Sequence, residues 1–187
     1  MSAASPTETE IKLRAPSPAA AAELLTTHGF SVARPRVFER NSLFDTADRE
    51  LASSGRLLRV REAGGNSKLT FKGPPSPGKH KSREELELDM PDASTFMGIL
   101  DRLGYKRSFI YEKYRTEFER DGENGIATLD ETPIGIFLEL EGDGGWIDAT
   151  AAMLGFTEAD YITSSYGRLY LEWCAARGVT PADMIWV

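Results

Sequence analysis

An α+β protein built on an eight-stranded antiparallel sheet, large enough to close into a barrel, with helices packed outside it, is the fold this sequence predicts. Many segments alternate strictly between apolar and charged residues, as strands do because successive side chains point to opposite faces. Short glycine-rich turns join these segments. The intervening helical stretches carry apolar stripes, which need an apolar surface to cover. The apolar side of the sheet is therefore expected outside, and the charged side within.

Glu8-Thr9-Glu10-Ile11-Lys12 opens the sheet, with Glu8, Glu10 and Lys12 on one face and Thr9, Ile11 and Leu13 on the other. Ser17 and Pro18 start a helix over 19–28 that Gly29 ends. A second strand runs from Arg36 to Asp45, and 45–54 reads as a polar loop. The strand over 55–62 turns through Ala63-Gly64-Gly65-Asn66 into its return, 67–73. Leu58 and Val60 oppose Arg59 and Arg61; Leu69 and Phe71 oppose Lys68, Thr70 and Lys72. Residues 74–81, rich in Pro, Gly and Lys, read as a mobile loop, with His80 lacking any partner at metal or triad spacing.

The strand over 82–90 sets Leu86, Leu88 and Met90 against Arg83, Glu85, Glu87 and Asp89. Asp92 or Ser94 caps a helix ending near Gly104. A long strand, 106–120, carries Tyr111, Lys113, Arg115 and Glu117 on one face. Gly122 and Gly125 mark a hairpin turn into 126–130, and 131–135 turns into 136–141, where Phe137, Glu139 and Glu141 oppose Leu138 and Leu140. Helices are expected over 146–154 and 165–176, with a capping box at Thr157–Asp160 between them. Residues 1–6 read as a loose leader and 179–187 as a tail of a single domain. Three times an acidic E-x-E strand leads into a helix ending in Gly plus an aromatic: Gly29-Phe30, Gly104-Tyr105 and Gly155-Phe156. This repetition places the three acidic strands alike in one sheet.

A net charge of −7 and a pI near 5 argue against a nucleic-acid surface. The one cysteine, Cys174, has no internal partner, which suits a reducing cytoplasm. No apolar run is long enough for a membrane span. A charged alternation alone is also what the solvated face of a strand looks like, so the weight falls on its recurrence. Burying that many ions costs several kcal/mol each, whereas a wet tunnel holding a charged ligand avoids the cost. Arg and Lys suit oxyanions and carboxylates suit hard cations, which together describe a metal-bound polyphosphate.

These motifs, in this order, resemble the CYTH superfamily, the triphosphate tunnel metalloenzymes. Its E-x-E-x-K opening matches Glu8, Glu10 and Lys12, followed by Leu58-Arg59-Val60-Arg61, Leu69-Thr70-Phe71-Lys72-Gly73-Pro74, Arg83 with Glu85 and Glu87, Lys113-x-Arg115, and Phe137-Leu138-Glu139-Leu140-Glu141. The resemblance implies a triphosphate substrate and Mg²⁺ or Mn²⁺. It implies Glu8, Glu10, Glu139 and Glu141 as metal ligands, with Asp130 added from its inner-face position. Lys12, Arg59, Arg61, Lys72, Lys113 and Arg115, with Lys68 and Arg83, form the implied phosphate cradle. Glu85, Glu87 and Lys72 are the implied catalytic groups. The match loosens at the last helix, where Ser164 precedes Ser165-Tyr166 and many members carry lysine. Tyr166 and Tyr170 are expected to pack.

Within that family a phosphohydrolase and a class IV adenylate cyclase need the same charges, and a non-catalytic polyphosphate binder is a third reading. The small-molecule substrate is the expected partner, with no nucleic acid and no membrane; monomer and homodimer stay open.

Overall fold

In the computed structural model, which describes residues 7–186, the alternating segments form eight strands. They are β1 (Thr7–Ala15), β2 (Ser31–Asp45), β3 (Leu57–Ala63), β4 (Asn66–Lys72), β5 (Lys81–Met90), β6 (Lys106–Glu119), β7 (Ile126–Thr132) and β8 (Gly135–Glu141). The leader expected over 1–6, and Val187 of the tail, lie outside the described residues. The strands close into an antiparallel barrel in the order β1-β5-β4-β3-β2-β6-β7-β8, so no edge is left unpaired. Five helices accompany it: α1 (Pro18–Thr27), α2 (Glu50–Ser53), α3 (Ala93–Arg102), α4 (Gly144–Met153) and α5 (Tyr166–Arg177).

The apolar side faces out, under the helices. Ile11, Leu13, Leu129, Leu138 and Leu140 pack beneath α1 and α4, with Leu25, Ile147 and Ala151 closing that core. Phe44, Val60 and Met90 pack against Ala93 and Leu100 of α3. The outer face of β5 is less covered, leaving Leu86 and Leu88 exposed. Ser17, Asp92, Asp143 and Ser165 cap α1, α3, α4 and α5, each accepting a bond from a first-turn backbone N–H.

The threefold pattern has a structural counterpart. β5, β1 and β8 are neighbours, and each leads into its helix. Each helix ends on a positive-φ glycine, Gly29, Gly104 or Gly155. The following aromatic N–H then bonds back to Leu25, Leu100 or Ala151. The glycine is required because the chain leaves the helix through the left-handed region.

Several expectations are corrected. β2 begins at Ser31, not Arg36, because the proline at 35 is absorbed by irregular register between Val32 and Val37. The expected loop after Asp45 contains α2, held by the Asp45 carboxylate, which accepts bonds from the N–H groups of Thr46, Leu51 and Ala52. The loop before β5 is tied down: Ser76 N–H bonds to the Ser82 carbonyl at 2.7 Å. The C-terminal segment lies along β6 beyond the end of its pairing with β7, with Met184 buried and exchanging backbone bonds with Ile110 and Glu112.

Gly125 and Trp146 are locked together. A Cβ at 125 would stand 2.2–2.4 Å from the indole, which donates to Glu123 at 2.7 Å. Gly125→Ala is expected to cost about 1–3 kcal/mol by overpacking. Urea unfolding checks this, and an unchanged midpoint would contradict the contact.

Candidate active site

The charged face of the sheet encloses a cavity of about 590 Å³. Glu8, Glu10, Lys12, Arg59, Arg61, Lys68, Lys72, Arg83, Glu85, Glu87, Lys113, Arg115, Glu139 and Glu141 all line it. Asp130 is fully buried in its wall. The antiparallel register decides which charges meet. Glu10 stands opposite Lys81 on β5 and Glu141 on β8, and Lys12 stands opposite Glu139.

Two sides can be distinguished. On the cationic side, Asp130 is the organising group: it accepts from Lys113 at 2.8 Å, from Arg115 through two bonds at 2.6 and 2.7 Å, and from the Tyr166 hydroxyl at 2.7 Å. Both its oxygens are engaged by cations or that hydroxyl. Arg59 donates to Tyr111 and Thr70 and lies 3.7 Å from Glu85. Arg61 lies 3.6 Å from Glu39 and 3.7 Å from Glu87.

On the acidic side Lys12 lies 3.3 Å from Glu10 and 3.1 Å from Glu139. Burial works against its charge, yet these two carboxylates hold the Lys12 ammonium above the ordinary lysine value. Burial likewise opposes ionisation of Glu10 and Glu139. It is overcome by Lys12 and Lys81 at Glu10, and by Lys12, Arg115 and Lys113 at Glu139, so both carboxyls sit well below the usual range. Glu141 behaves oppositely. Burial and the charges of Glu8, Glu10 and Glu139 push it up to about 7, and it has no ion-pair partner among the described residues. Burial and a hydrogen bond with Glu8 raise Glu85 to about 7 as well, with Lys72 bonded to both carboxyls.

Among the described residues, no three acidic, His or Cys side chains converge on one point as they stand. The donor set nonetheless fits a hard divalent cation, since every donor of Glu8, Glu10, Glu139 and Glu141 is a carboxylate oxygen and Glu141 has no ion-pair partner among the described residues. Among the described residues, the six buried polar side-chain atoms without a hydrogen-bond partner belong to the barrel residues Glu39, Asn41, Arg59, Arg83 and Thr128. Buried polar atoms are rarely left without partners, so such a cluster marks a place built around a polar ligand.

Sequence reasoning missed five contributors. Glu39 and Asn41 pair with Lys113 and Tyr111 across β2–β6, facing inward. Their strand carries polar residues on both faces, so alternation gave no sign. Lys81, expected in a solvated loop, is buried and donates to Glu10 at 2.7 Å. Thr128 lines the cavity, unsignalled by its type. Tyr166, expected to pack, also meets charges: its ring lies 5.2 Å from both the Lys12 and Lys113 ammonium groups, within cation–π range. Ser165, Tyr166 and Gly167, at the start of α5, line the cavity, with Tyr166 packed against Phe137 and Tyr111.

This barrel is closed around a tunnel lined by Lys, Arg and Glu side chains. The CYTH domain family matches residues 6–166, and the chain belongs to that family. A Methanocaldococcus jannaschii protein provisionally named an adenylate cyclase is 31% identical over 135 residues, 72% of this chain and 75% of the relative. Among solved structures, a Vibrio parahaemolyticus protein of the same provisional name superposes with TM-score 0.76 at 23% identity, covering 89% of this chain and 98% of its own. A Pyrococcus horikoshii protein gives TM-score 0.74 at 26% identity, covering 88% and 98%. A Hippeastrum protein, described as an adenylyl cyclase candidate with a dominant triphosphatase activity, gives TM-score 0.60 at 20% identity over 93% and 97%. No helix among the described residues is long and apolar enough to cross a membrane.

The pKa shifts fix a pH dependence for the metal-free protein. Glu85 and Glu141 have folded values near 7 against an ordinary 4.5. Between those limits the unfolded chain releases protons that the folded one keeps, so stability falls as pH rises from about 5 to about 7, then levels. Below about 4.5 stability falls again, because the depressed Glu10, Glu39 and Glu139 must be protonated. Thermal unfolding of chelator-treated protein is expected to be highest near pH 5; a steady rise through pH 7 would contradict the assignment.

Proposed function

We propose that this chain is a divalent-metal-dependent phosphohydrolase acting on a triphosphate, inorganic tripolyphosphate or a small organic one. CYTH proteins are triphosphate-acting enzymes, adenylate cyclases and triphosphatases. The observation that carries the reading is the tunnel lined by both charges. Lys113 and Arg115, fixed by Asp130, stand beside the carboxylates of Glu8, Glu10, Glu139 and Glu141, among which burial and the neighbouring carboxylates raise Glu141 to about 7.

Glu8, Glu10, Glu139 and Glu141 would hold Mg²⁺ or Mn²⁺, oxygen-seeking ions suited to such donors. When bound, the ion polarises phosphoryl oxygens and offsets charge on the transferring group. Lys12, Arg59, Arg61, Lys113 and Arg115 bind the non-bridging oxygens, with Lys68, Lys72, Lys81 and Arg83 along the same wall. Asp130 and Tyr166 hold Lys113 and Arg115 in place, so no reorganisation is needed as charge develops.

Hydrolysis requires a water oxygen to bond to the terminal phosphorus as the bridging P–O bond breaks, releasing phosphate and the shortened chain. The water proton must go to a base. Glu85, poised near neutrality, can accept it, while Glu87, held ionised beside Lys68 and Thr70, orients the water. Lys72, bonded to Glu85, meets the charge on the leaving oxygen.

The provisional name of the Methanocaldococcus jannaschii relative favours a second reading. A class IV adenylate cyclase would direct the ribose 3′-hydroxyl of ATP at the α-phosphate, from the same cradle. Product analysis with tripolyphosphate, ATP and thiamine triphosphate under each metal separates the two. Free phosphate from tripolyphosphate supports hydrolysis, cyclic AMP with pyrophosphate supports cyclisation, and neither product sinks both. Glu8→Gln or Glu10→Gln is expected to lower kcat by roughly 100-fold or more, while Arg59→Ala chiefly raises KM. Full turnover in either Gln variant contradicts the metal assignment.

A further inference from the structure

Lys81 is the first residue of β5 and its pairing with Glu10 is the last rung of the β1–β5 ladder. Beyond that rung the chain leaves the sheet, so what aims the Lys81 side chain into the tunnel must lie next to it. The neighbour is His80, which does not line the tunnel. Its Nε2 meets Asp148 Oδ1 of α4 at 2.8 Å. Asp148 is also bonded by Lys79 at 2.8 Å and by the Tyr161 hydroxyl at 3.1 Å, and those hydrogen bonds from Lys79 and His80 hold its carboxyl down to about 2.

The contact is built into the helix. α4 opens on Gly144, where a Cβ would stand 2.9 Å from His80 Cε1 and 3.0 Å from Nδ1, so a larger residue there would have to displace the ring. The His80 ring also lies beside Tyr161, with centroids 6.0 Å apart. Strand register does not need this pair, because Thr9 and Ser82 already bond across the preceding rung at 2.9 Å.

We propose that the His80–Asp148 pair positions Lys81, pinning the outermost rung so that its ammonium stands over Glu10 inside the tunnel and reaches substrate phosphate. His80 is then a positioning residue that sets affinity for the polyphosphate, and α4 takes part in binding without touching the ligand. This rests on the reading of the tunnel as a triphosphate site.

Calorimetric titration of the full-length protein with tripolyphosphate, without turnover, tests it. His80→Leu is expected to weaken binding about tenfold, the scale of one charge-assisted hydrogen bond. His80→Gln, whose amide reaches where Nε2 stood, should stay within about twofold of wild type. In a Lys81→Met background His80→Leu should have no further effect, because its action passes through Lys81. Melting temperatures confirm that each variant is folded. Unchanged affinity in His80→Leu, or an equal loss in the Lys81→Met background, overturns the positioning role alone. A wild-type protein that does not bind tripolyphosphate overturns the triphosphate reading, and the positioning role with it.

Discussion

Lys12, held between Glu10 and Glu139 deep in a closed barrel, is the interaction on which the rest depends. Each buried ion gives up hydration worth several kcal/mol, and apolar side chains of the same volume would often be equally stable. A barrel that instead fills its interior with Lys, Arg and Glu can persist only where every strand faces its charges inward together. Closure of the sheet achieves this, because neither edge is left to water and α1, α3 and α4 cover the greasy outer face.

The charges inside are not evenly matched. Asp130, bonded to Lys113, Arg115 and Tyr166, makes one wall a fixed array of donors. The neighbouring strands β1 and β8, next to β7, set Glu10 across from Glu141, and burial together with the charges of Glu8, Glu10 and Glu139 raises the Glu141 carboxyl to about 7. A ligand that brings phosphate oxygens to the first wall and a cation to the second would relieve both. The start of α5 contributes Ser165, Tyr166 and Gly167 to the tunnel lining although no lysine stands at Ser164.

Much of this was legible in the sequence. The barrel could be read because strict alternation at Leu58-Arg59-Val60-Arg61 or Leu138-Glu139-Leu140-Glu141 separates the faces without ambiguity. The neighbouring placement of β5, β1 and β8 echoed a repeated strand–helix–Gly-aromatic pattern. What could not be read depended on contacts between distant segments. Glu39 and Asn41 sit on a strand polar on both sides, and Lys81 is drawn from an apparent loop by its pairing with Glu10. Asp130 has the charge of a metal ligand; its bonds to Lys113, Arg115 and Tyr166, none of them local in sequence, engage both its oxygens. Residues 183–186 gain their place from free backbone groups on β6, which no local pattern announces.

A crystal grown with manganese and a methylene-bridged triphosphate tests the central claim most directly. Three phosphorus positions inside the barrel, among Lys12, Arg59, Lys113 and Arg115, with manganese against Glu10, Glu139 and Glu141, are predicted. Triphosphate bound only on the outer surface, with the interior ion pairs left as they are, would contradict it.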